Sequence, residues 1–423
     1  MKVFKKLFVL TLVLGVIMAL AACGGSKKTN SSSSSDSGGK KTLTVSVEDQ
    51  YADYINSIKG DFEKQNNVTV KVVKKPMFDQ LEALPLDGPA GKAPDVMLAS
   101  YDRIGGLGQQ GHLLKLSKKD VSAYDAKDQR QVMIDNKVYG VPFVIETLVL
   151  YYNKDLLKSP PKTFADLEKL AKDSKYNFSS ESGKNTGFLV KWTDFYYSYG
   201  LLAGYGGYVF GDNGTNTKDI GLNNAGSVKA ITYATHWFKD IWPKGMKDTK
   251  SSGDFVTEEF SKGKAAAVID GPWSADTYAK AKVNYGAAPI PTLPNGNKYE
   301  AFSGGKGWVA SNYTKEPKLA EKWIQYVTNS ANSYKFYEKY KEVPANPAAR
   351  EKAAATNDEL TKAVVEQYKS AQPMPNVPEM AEVWTGMEST MFDAASGKKT
   401  PKQAADAAVK TIKDNIAQKY SNK

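Results

Sequence analysis

Apolar and polar positions change period repeatedly along the chain. Leu43-Thr-Val-Ser-Val47 alternates and is β-branched, which predicts a strand. Tyr54, Ile55, Ile58 and Phe62 follow at helical spacing, with polar residues between them. Val68 to Val73 predicts a second strand, and Pro94 to Ala99 a short buried one after a Gly/Pro turn. Arg103 to Gln110 predicts a helix that Gly111 ends. Val138 to Tyr152 reads as strand segments around Pro142, and Thr163 caps a helix over Phe164 to Asp173. Ala265 to Ile269 is a strand running into Asp270-Gly-Pro-Trp273, and Val283 to Gly286 is another extended piece. From Lys318 onward helices dominate: Lys318 to Thr328, Ser333 to Lys339, Asp358 to Lys369, Met380 to Ala395 and Lys402 to Lys419. Alternating strands and helices predict parallel sheets in an α/β fold.

The N-terminal stretch follows no such pattern. Lys2, Lys5 and Lys6 precede an apolar run from Leu7 to Ala22. That run is shorter than the about 20 residues a spanning helix needs. It ends Leu20-Ala21-Ala22-Cys23, which reads as a secretory signal (1–22) with its cleavage site. Gly24 to Lys41 holds the serine run Ser31 to Ser35 and Gly38-Gly39 but nothing apolar to bury. Residues 23–42 are therefore expected to form a flexible tether.

A chain of 423 residues with 41% hydrophobic and 24% charged content fits about two domains and excludes a disordered, collagen-like or polytopic membrane chain. The net charge of +11 invites a nucleic-acid reading. Much of that charge lies in the signal and tether, and no basic run follows, so no nucleic-acid partner is expected. One cysteine excludes an intramolecular disulfide, and with only two histidines few soft metal ligands remain. His112 and His236 are isolated and read as surface or structural residues. The chain has neither Gly-x-Ser-x-Gly nor His-Glu-x-x-His, so no metal site or cofactor is expected and an enzyme is disfavoured.

Candidate binding chemistry is concentrated. Trp192 to Phe210 holds eight aromatics, Trp192, Phe195, Tyr196, Tyr197, Tyr199, Tyr205, Tyr208 and Phe210, against about two expected from the 11% aromatic content. Tyr and Trp combine a flat apolar face with a polar handle, which suits the C–H faces and hydroxyl edges of sugars. The cluster reads as a binding surface more than as core. Asp102-Arg103 follows a strand and opens a helix, where α/β folds bind ligands; a helix cap with an ion pair is the competing reading. Glu146 lies in the apolar stretch Phe143 to Leu150, where a carboxylate is costly unless it faces a cleft or is paired.

Several blocks resemble the maltose/maltodextrin-binding proteins of bacterial ABC importers, in order from about Leu43 almost to the C-terminus. They include Ala93-Pro-Asp-Val-Met-Leu-Ala-Ser-Tyr-Asp-Arg-Ile-Gly-Gly106, Val138-Tyr-Gly-Val-Pro142 with Glu146, Tyr152-Asn-Lys-Asp-Leu-Leu157, Asp270-Gly-Pro-Trp273 and Met374-Pro-Asn-Val-Pro378 with Trp384. The resemblance implies a two-lobed periplasmic-binding-protein-like fold with a central cleft and hinge closure. Lobe one is placed at 43–144 plus 302–352 and lobe two at 149–298 plus 357–423, with hinges near 143–148 and 299–304. It implies sugar contacts from Asp102 and Arg103, a hinge carboxylate at Glu146, and an acidic residue with an aromatic platform at Asp194, Phe195, Tyr196 and Tyr197. It also implies stacking by Trp273 and Trp384, and polar contacts from Glu48, Asp49 and Gln50.

There are departures. Ala99 stands where the best-known enterobacterial members have a stacking tryptophan, and Thr385 and Glu388 where they have a tyrosine and an arginine. Met77, Phe78 and Asp79 are the candidate replacements on the facing lobe. Leu-Ala-Ala-Cys23 resembles a lipobox, which implies diacylglycerol on the Cys23 thiol, N-acylation of that residue, and a protein held on the outer face of a cell membrane, as in Gram-positive bacteria. The function implied is capture of maltodextrins by a monomer that delivers them to an ABC permease. A receptor for another oligosaccharide or polyol is the alternative, and a surface glycoside hydrolase the third reading.

Overall fold

A computed structural model describes residues Lys40–Tyr420. The predicted signal, Cys23 and the tether up to residue 39 lie outside the described residues. The chain begins as the periodicity predicts: β1 (Lys41–Val47), α1 (Ala52–Asn66), β2 (Val68–Lys74), α2 (Met77–Asp87), β3 (Val96–Ser100) and α3 (Tyr101–Gln109). The stripe Tyr54, Ile55, Ile58 and Phe62 is buried. Strand β4 (Val141–Glu146) carries Pro142 beside a single full-length neighbour, where its missing N–H costs little.

Only Thr147 and Leu148 separate β4 from β5 (Val149–Asn153), yet the two strands belong to different sheets. The second sheet is completed by β6 (Phe188–Val190), β7 (Ala267–Asp270) and β8 (Tyr285–Ala288). The chain then returns to the first sheet as β9 (Phe302–Ala310) and touches it again at β10 (Gln372–Pro373), which pairs with Phe302 and Ser303. The residues after 357, expected in lobe two, thus contribute one short strand to the first sheet.

Helices expected from Lys318 onward are present at Pro317–Val327, Ser330–Tyr340, Glu359–Ser370 and Pro401–Tyr420; Pro347–Ala354 is an additional one, capped by the Asn346 side chain. The stretch Met380 to Ala395, expected as one helix, is two: Met380–Met387 and Thr390–Ala395.

The sheets are mixed rather than parallel. β1 runs parallel to β2 and β3, and β6 parallel to β7. β9 is antiparallel to β3 and β4, and β5 is antiparallel to β7 and β8. The reason is direction of travel. β5 and β9 start at a crossing between the sheets and run away from it, whereas β3, β4 and β7 end toward it.

The aromatic segment divides: of its eight rings Trp192, Phe195, Tyr199 and Phe210 are buried core, which corrects the surface reading for half of the cluster. Its helix α4 (Phe195–Gly204) is apolar nearly all round, as a buried helix is. Trp192 donates Nε1–H to Tyr299 Oη at 3.1 Å, Tyr199 stacks on Phe302 at 3.7 Å between ring centroids, and Phe210 is buried. Tyr208 is exposed and donates to Asp219 Oδ1 at 2.8 Å.

Candidate functional site

A cavity of ≈ 610 Å³ opens where the sheets meet. From the first sheet side it is lined by Glu48 and Gln50 after β1, by Met77, Phe78 and Glu82 on α2, and by Ser100, Asp102 and Arg103 where β3 turns into α3. From the second sheet side come Asp194, Tyr196 and Tyr197 at the start of α4, and Trp273 just after β7. Trp384, on the helix Met380–Met387, and Met374 close one side. Glu146, Gly304, Gly305 and Lys306, from the strands flanking the crossings, also line it.

Several of these polar groups are held by specific partners. Asp102, buried in the first turn of α3, accepts from Trp384 Nε1 at 3.1 Å and pairs with Arg103 Nε at 3.4 Å. Arg103 also lies over the Phe78 ring, 5.8 Å from its centroid. Asp194 caps α4 by accepting from Tyr196 N at 2.9 Å and pairs with Lys191 at 3.3 Å. Tyr197 donates to Asp270 Oδ1 at 2.8 Å, and Tyr278 donates to Asp270 Oδ2 at 2.6 Å. Burial pushes the Asp270 carboxyl up, although these hydrogen bonds oppose the shift. Gly271 lets the Trp273 ring approach, because a Cβ there would lie 2.2 Å from the indole.

Between the crossings sits a buried charge cluster. The Lys306 ammonium pairs with Glu146 Oε1 and with Glu342 Oε2, the latter at 2.8 Å. Tyr51 Oη donates to Glu342 Oε1 at 2.5 Å. Two carboxylates thus share one ammonium in a buried setting. Burial pushes the Glu146 carboxyl up to about 7, with Lys306 opposing and Glu342 adding to the shift. The two carboxylates outweigh the desolvation of Lys306 and hold its ammonium well above the ordinary lysine range. A register shift in the β9–β4 pairing between Lys306 and Gly307 lies directly at this cluster; such bulges re-aim side chains. Gly305 has φ 153, and a Cβ there would meet Val144 O at 2.2 Å, so the cavity floor requires glycine.

Two buried hydroxyls of cavity-lining residues, Ser100 Oγ and Tyr196 Oη, make no hydrogen bond within the protein, and Arg103 Nε–H is held only by its ion pair with Asp102 at 3.4 Å. Buried polar groups are ordinarily satisfied. This set, a hydroxyl, a guanidinium N–H and a phenol beside carboxylates, suits a ligand rich in hydroxyls.

Of the residues expected to bind, ten line this cavity: Glu48, Gln50, Asp102, Arg103, Glu146, Asp194, Tyr196, Tyr197, Trp273 and Trp384. Three do not. Asp49 points outward, pairing with Lys74 at 2.7 Å on the surface. Asp79 follows Phe78 on α2 and is exposed, since one residue further turns the side chain about 100° round a helix. Phe195 is buried and backs Trp384, 5.6 Å between ring centroids, instead of presenting a face. Met77 and Phe78 are present, whereas Ala99 is buried in β3 and Thr385 and Glu388 are exposed. Tyr51, Glu82, Ser100, Lys306 and Met374 were missed. For Lys306 a signal existed: Gly304-Gly305 inside a strand marks close backbone approach.

Comparison with known proteins agrees with this architecture. Residues 58–363 match the family described as bacterial extracellular solute-binding protein. The maltodextrin-binding protein MdxE of Bacillus subtilis (strain 168) is 66% identical over 381 residues, 90% of this chain and 91% of its own. The crystal structure of maltose-binding periplasmic protein MalE from Listeria monocytogenes in complex with maltose is 66% identical, with a TM-score of 0.81 over 90% of this chain and 99% of that one. MalX from Streptococcus pneumoniae in complex with maltopentaose is 48% identical, with a TM-score of 0.86 over 88% of this chain and 100% of that one. These matches agree with the two-lobed α/β fold, and the chain belongs to the bacterial extracellular solute-binding proteins.

Proposed function

We propose that this protein captures maltose and maltodextrins outside the cell and delivers them to an ABC permease. The observation that carries the reading is the pairing, in one cavity, of ring faces with unpartnered buried hydrogen-bonding atoms. Tyr196, Tyr197, Trp273 and Trp384 stack on the C–H faces of glucosyl units, while Asp102, Arg103 and the other polar groups fix the hydroxyls. The named ligands of the similar proteins, maltose and maltopentaose among them, support an α-glucan. Ligand touching both sides of the cavity favours a closed form over an open one, a population shift, and the closed form docks on the permease as a monomer.

Calorimetry with maltose, maltotriose and longer dextrins tests the ligand class. Heat of binding to at least one of them is expected, and absence of binding to every α-glucan sinks the reading. We further propose that Cys23 carries the diacylglyceryl and N-acyl anchor, holding the protein on the outer face of a Gram-positive membrane. Radiolabelled palmitate should enter the wild-type protein and not Cys23→Ser; equal labelling of both excludes Cys23 as the anchor.

A further inference from the structure

The two carboxylates that share Lys306 differ in what they offer the cleft. Glu146 and Lys306 line the cavity, and their side chains keep 9% and 8% of their surface, whereas Glu342 keeps 3% and does not line it. Glu342 has both oxygens engaged: Oε1 accepts from Tyr51 Oη at 2.5 Å and Oε2 from the Lys306 ammonium at 2.8 Å. Glu146 gives Lys306 only Oε1. Its Oε2 accepts from no donor among the described residues and is not one of the sealed polar atoms. Gly304, the cross-strand neighbour of Glu146, carries no side chain that could cover the carboxylate, and it lines the cavity as well.

Charge reaches Glu146 from each element packed around it. Lys306 comes from β9, Glu342 from the segment after the helix Ser330–Tyr340, and Tyr51 from the turn after β1. Tyr196 feels its charge from α4, and Asp102 and Arg103 line the same cavity from α3. Among the described residues only Lys306 pairs with it. Burial and Glu342 favour the neutral acid, and Lys306 opposes both.

We propose that Lys306 is a positioning residue for ligand recognition, fixing Glu146 through Oε1 as an ionised acceptor whose Oε2 receives a ligand hydroxyl. The inference rests on the glucan-binding reading above. A carboxylate accepts a hydroxyl more strongly than a neutral acid does, so affinity follows the charge on Glu146. Ligand and proton compete for that carboxylate. Binding therefore releases a proton, and affinity rises with pH as Glu146 ionises. Neither His112 nor His236 lines the cavity, so no histidine supplies this response there.

The test is calorimetry of the full chain with maltotriose across neutral pH. Wild-type affinity is expected to rise about tenfold between about pH 6 and about pH 8, the change that one unit of pKa shift on binding produces. Glu146→Gln should flatten that profile. Lys306→Met should weaken binding at neutral pH and move the rise to higher pH, because the carboxyl loses its cation. Glu342→Gln should do the reverse: without the neighbouring carboxylate, Glu146 ionises at lower pH and binding at about pH 6 strengthens. Damage to the fold would not produce such a gain. The wild-type profile and Glu342→Gln decide the matter even where Lys306→Met does not fold. Wild-type binding that is level across the range overturns the proposal, as does a folded Glu342→Gln with an unmoved profile. A protein that binds no α-glucan at any pH fails the glucan-binding reading itself and takes this inference with it.

Discussion

The first lobe presents Glu48, Glu82, Asp102 and Arg103 to the cleft, whereas the second presents Tyr196, Tyr197 and Trp273 with Asp194 as its only lining carboxylate. The first face carries most of the charge, beside Met77 and Phe78; the second is mostly aromatic. Charged hydrogen bonds discriminate among hydroxyl positions, while ring faces supply area with little regard for which sugar edge is turned to them. The division is one of weight, since Met77 and Phe78 also line the first face. A ligand gains the two contributions in full only when it spans the lobes, which ties affinity to closure. Lys306 lies on β9 of the first sheet, close to the crossing, and pairs with Glu146 at the end of β4.

The largest effect is expected at this buried charge cluster. Lys306→Met leaves Glu146 and Glu342 buried without their cation, and removing one partner of a buried pair costs about 3–5 kcal/mol. Urea denaturation should show that loss at neutral pH. It should shrink in acid, where Glu146 takes up a proton, and the double variant with Glu146→Gln should recover part of it. Equal stability of Lys306→Met and wild type would mean that the cluster is solvated.

Glu146 gives the comparison a pH axis. Its folded pKa, about 7, lies above the ordinary 4.5. The folded state then holds more protons than the unfolded state between those values, so this group's contribution to stability falls as pH rises through the window. Melting temperatures measured across it should decline in the wild type and flatten in Glu146→Gln; parallel curves would remove Glu146 as the cause.

On the first face, Asp102→Ala strips the acceptor from Trp384 Nε1 and the partner from Arg103 at once. Loss of about 1.5–3 kcal/mol in maltotriose affinity is expected for a charged hydrogen-bonding group. On the second face, Trp273→Ala removes one half-buried ring and should cost about 1–2 kcal/mol. Isothermal calorimetry ranks the two, and a smaller loss for Asp102→Ala than for Trp273→Ala would invert the assignment of roles. Circular dichroism should show both variants folded; an unfolded Trp273→Ala would make that ring core.

What the sequence disclosed follows the same division. Local order was readable: the alternation of Leu43 to Val47 and the helical stripe Tyr54 to Phe62 are properties of adjacent residues. Asp102, Trp273 and Trp384 were placed through motif resemblance, since nothing in spacing says that residues 102 and 384 share a hydrogen bond. The Lys306 cluster escaped because its partners lie 160 and 36 residues away along the chain. Half of the aromatic segment was misread for a physical reason. Tyrosine suits a wet surface and a core with a hydrogen-bond partner equally well, and composition does not say which side of α4 meets Phe302. Strand direction in β5 and β9 was likewise set by chain crossings, not by local preference.

The smallest effects are expected just outside the first face, and they sharpen its boundary. Asp49 sits between two cavity-lining residues, yet its side chain is 81% exposed and paired with Lys74. Exposed ion pairs contribute little, with a median of about 0–1 kcal/mol, and salt screens them further. Asp79 is exposed beside Phe78 in the same way. Asp49→Ala and Asp79→Ala should each leave maltotriose affinity within about 0.5 kcal/mol of wild type, as surface substitutions do. Glu48→Ala and Glu82→Ala, on cavity-lining neighbours of those positions, should exceed that bound in the same calorimetric series. If Asp49→Ala weakened binding as much as Glu48→Ala, the turn after β1 would have to rearrange when the ligand arrives, and the first lobe's face would be wider than its present lining.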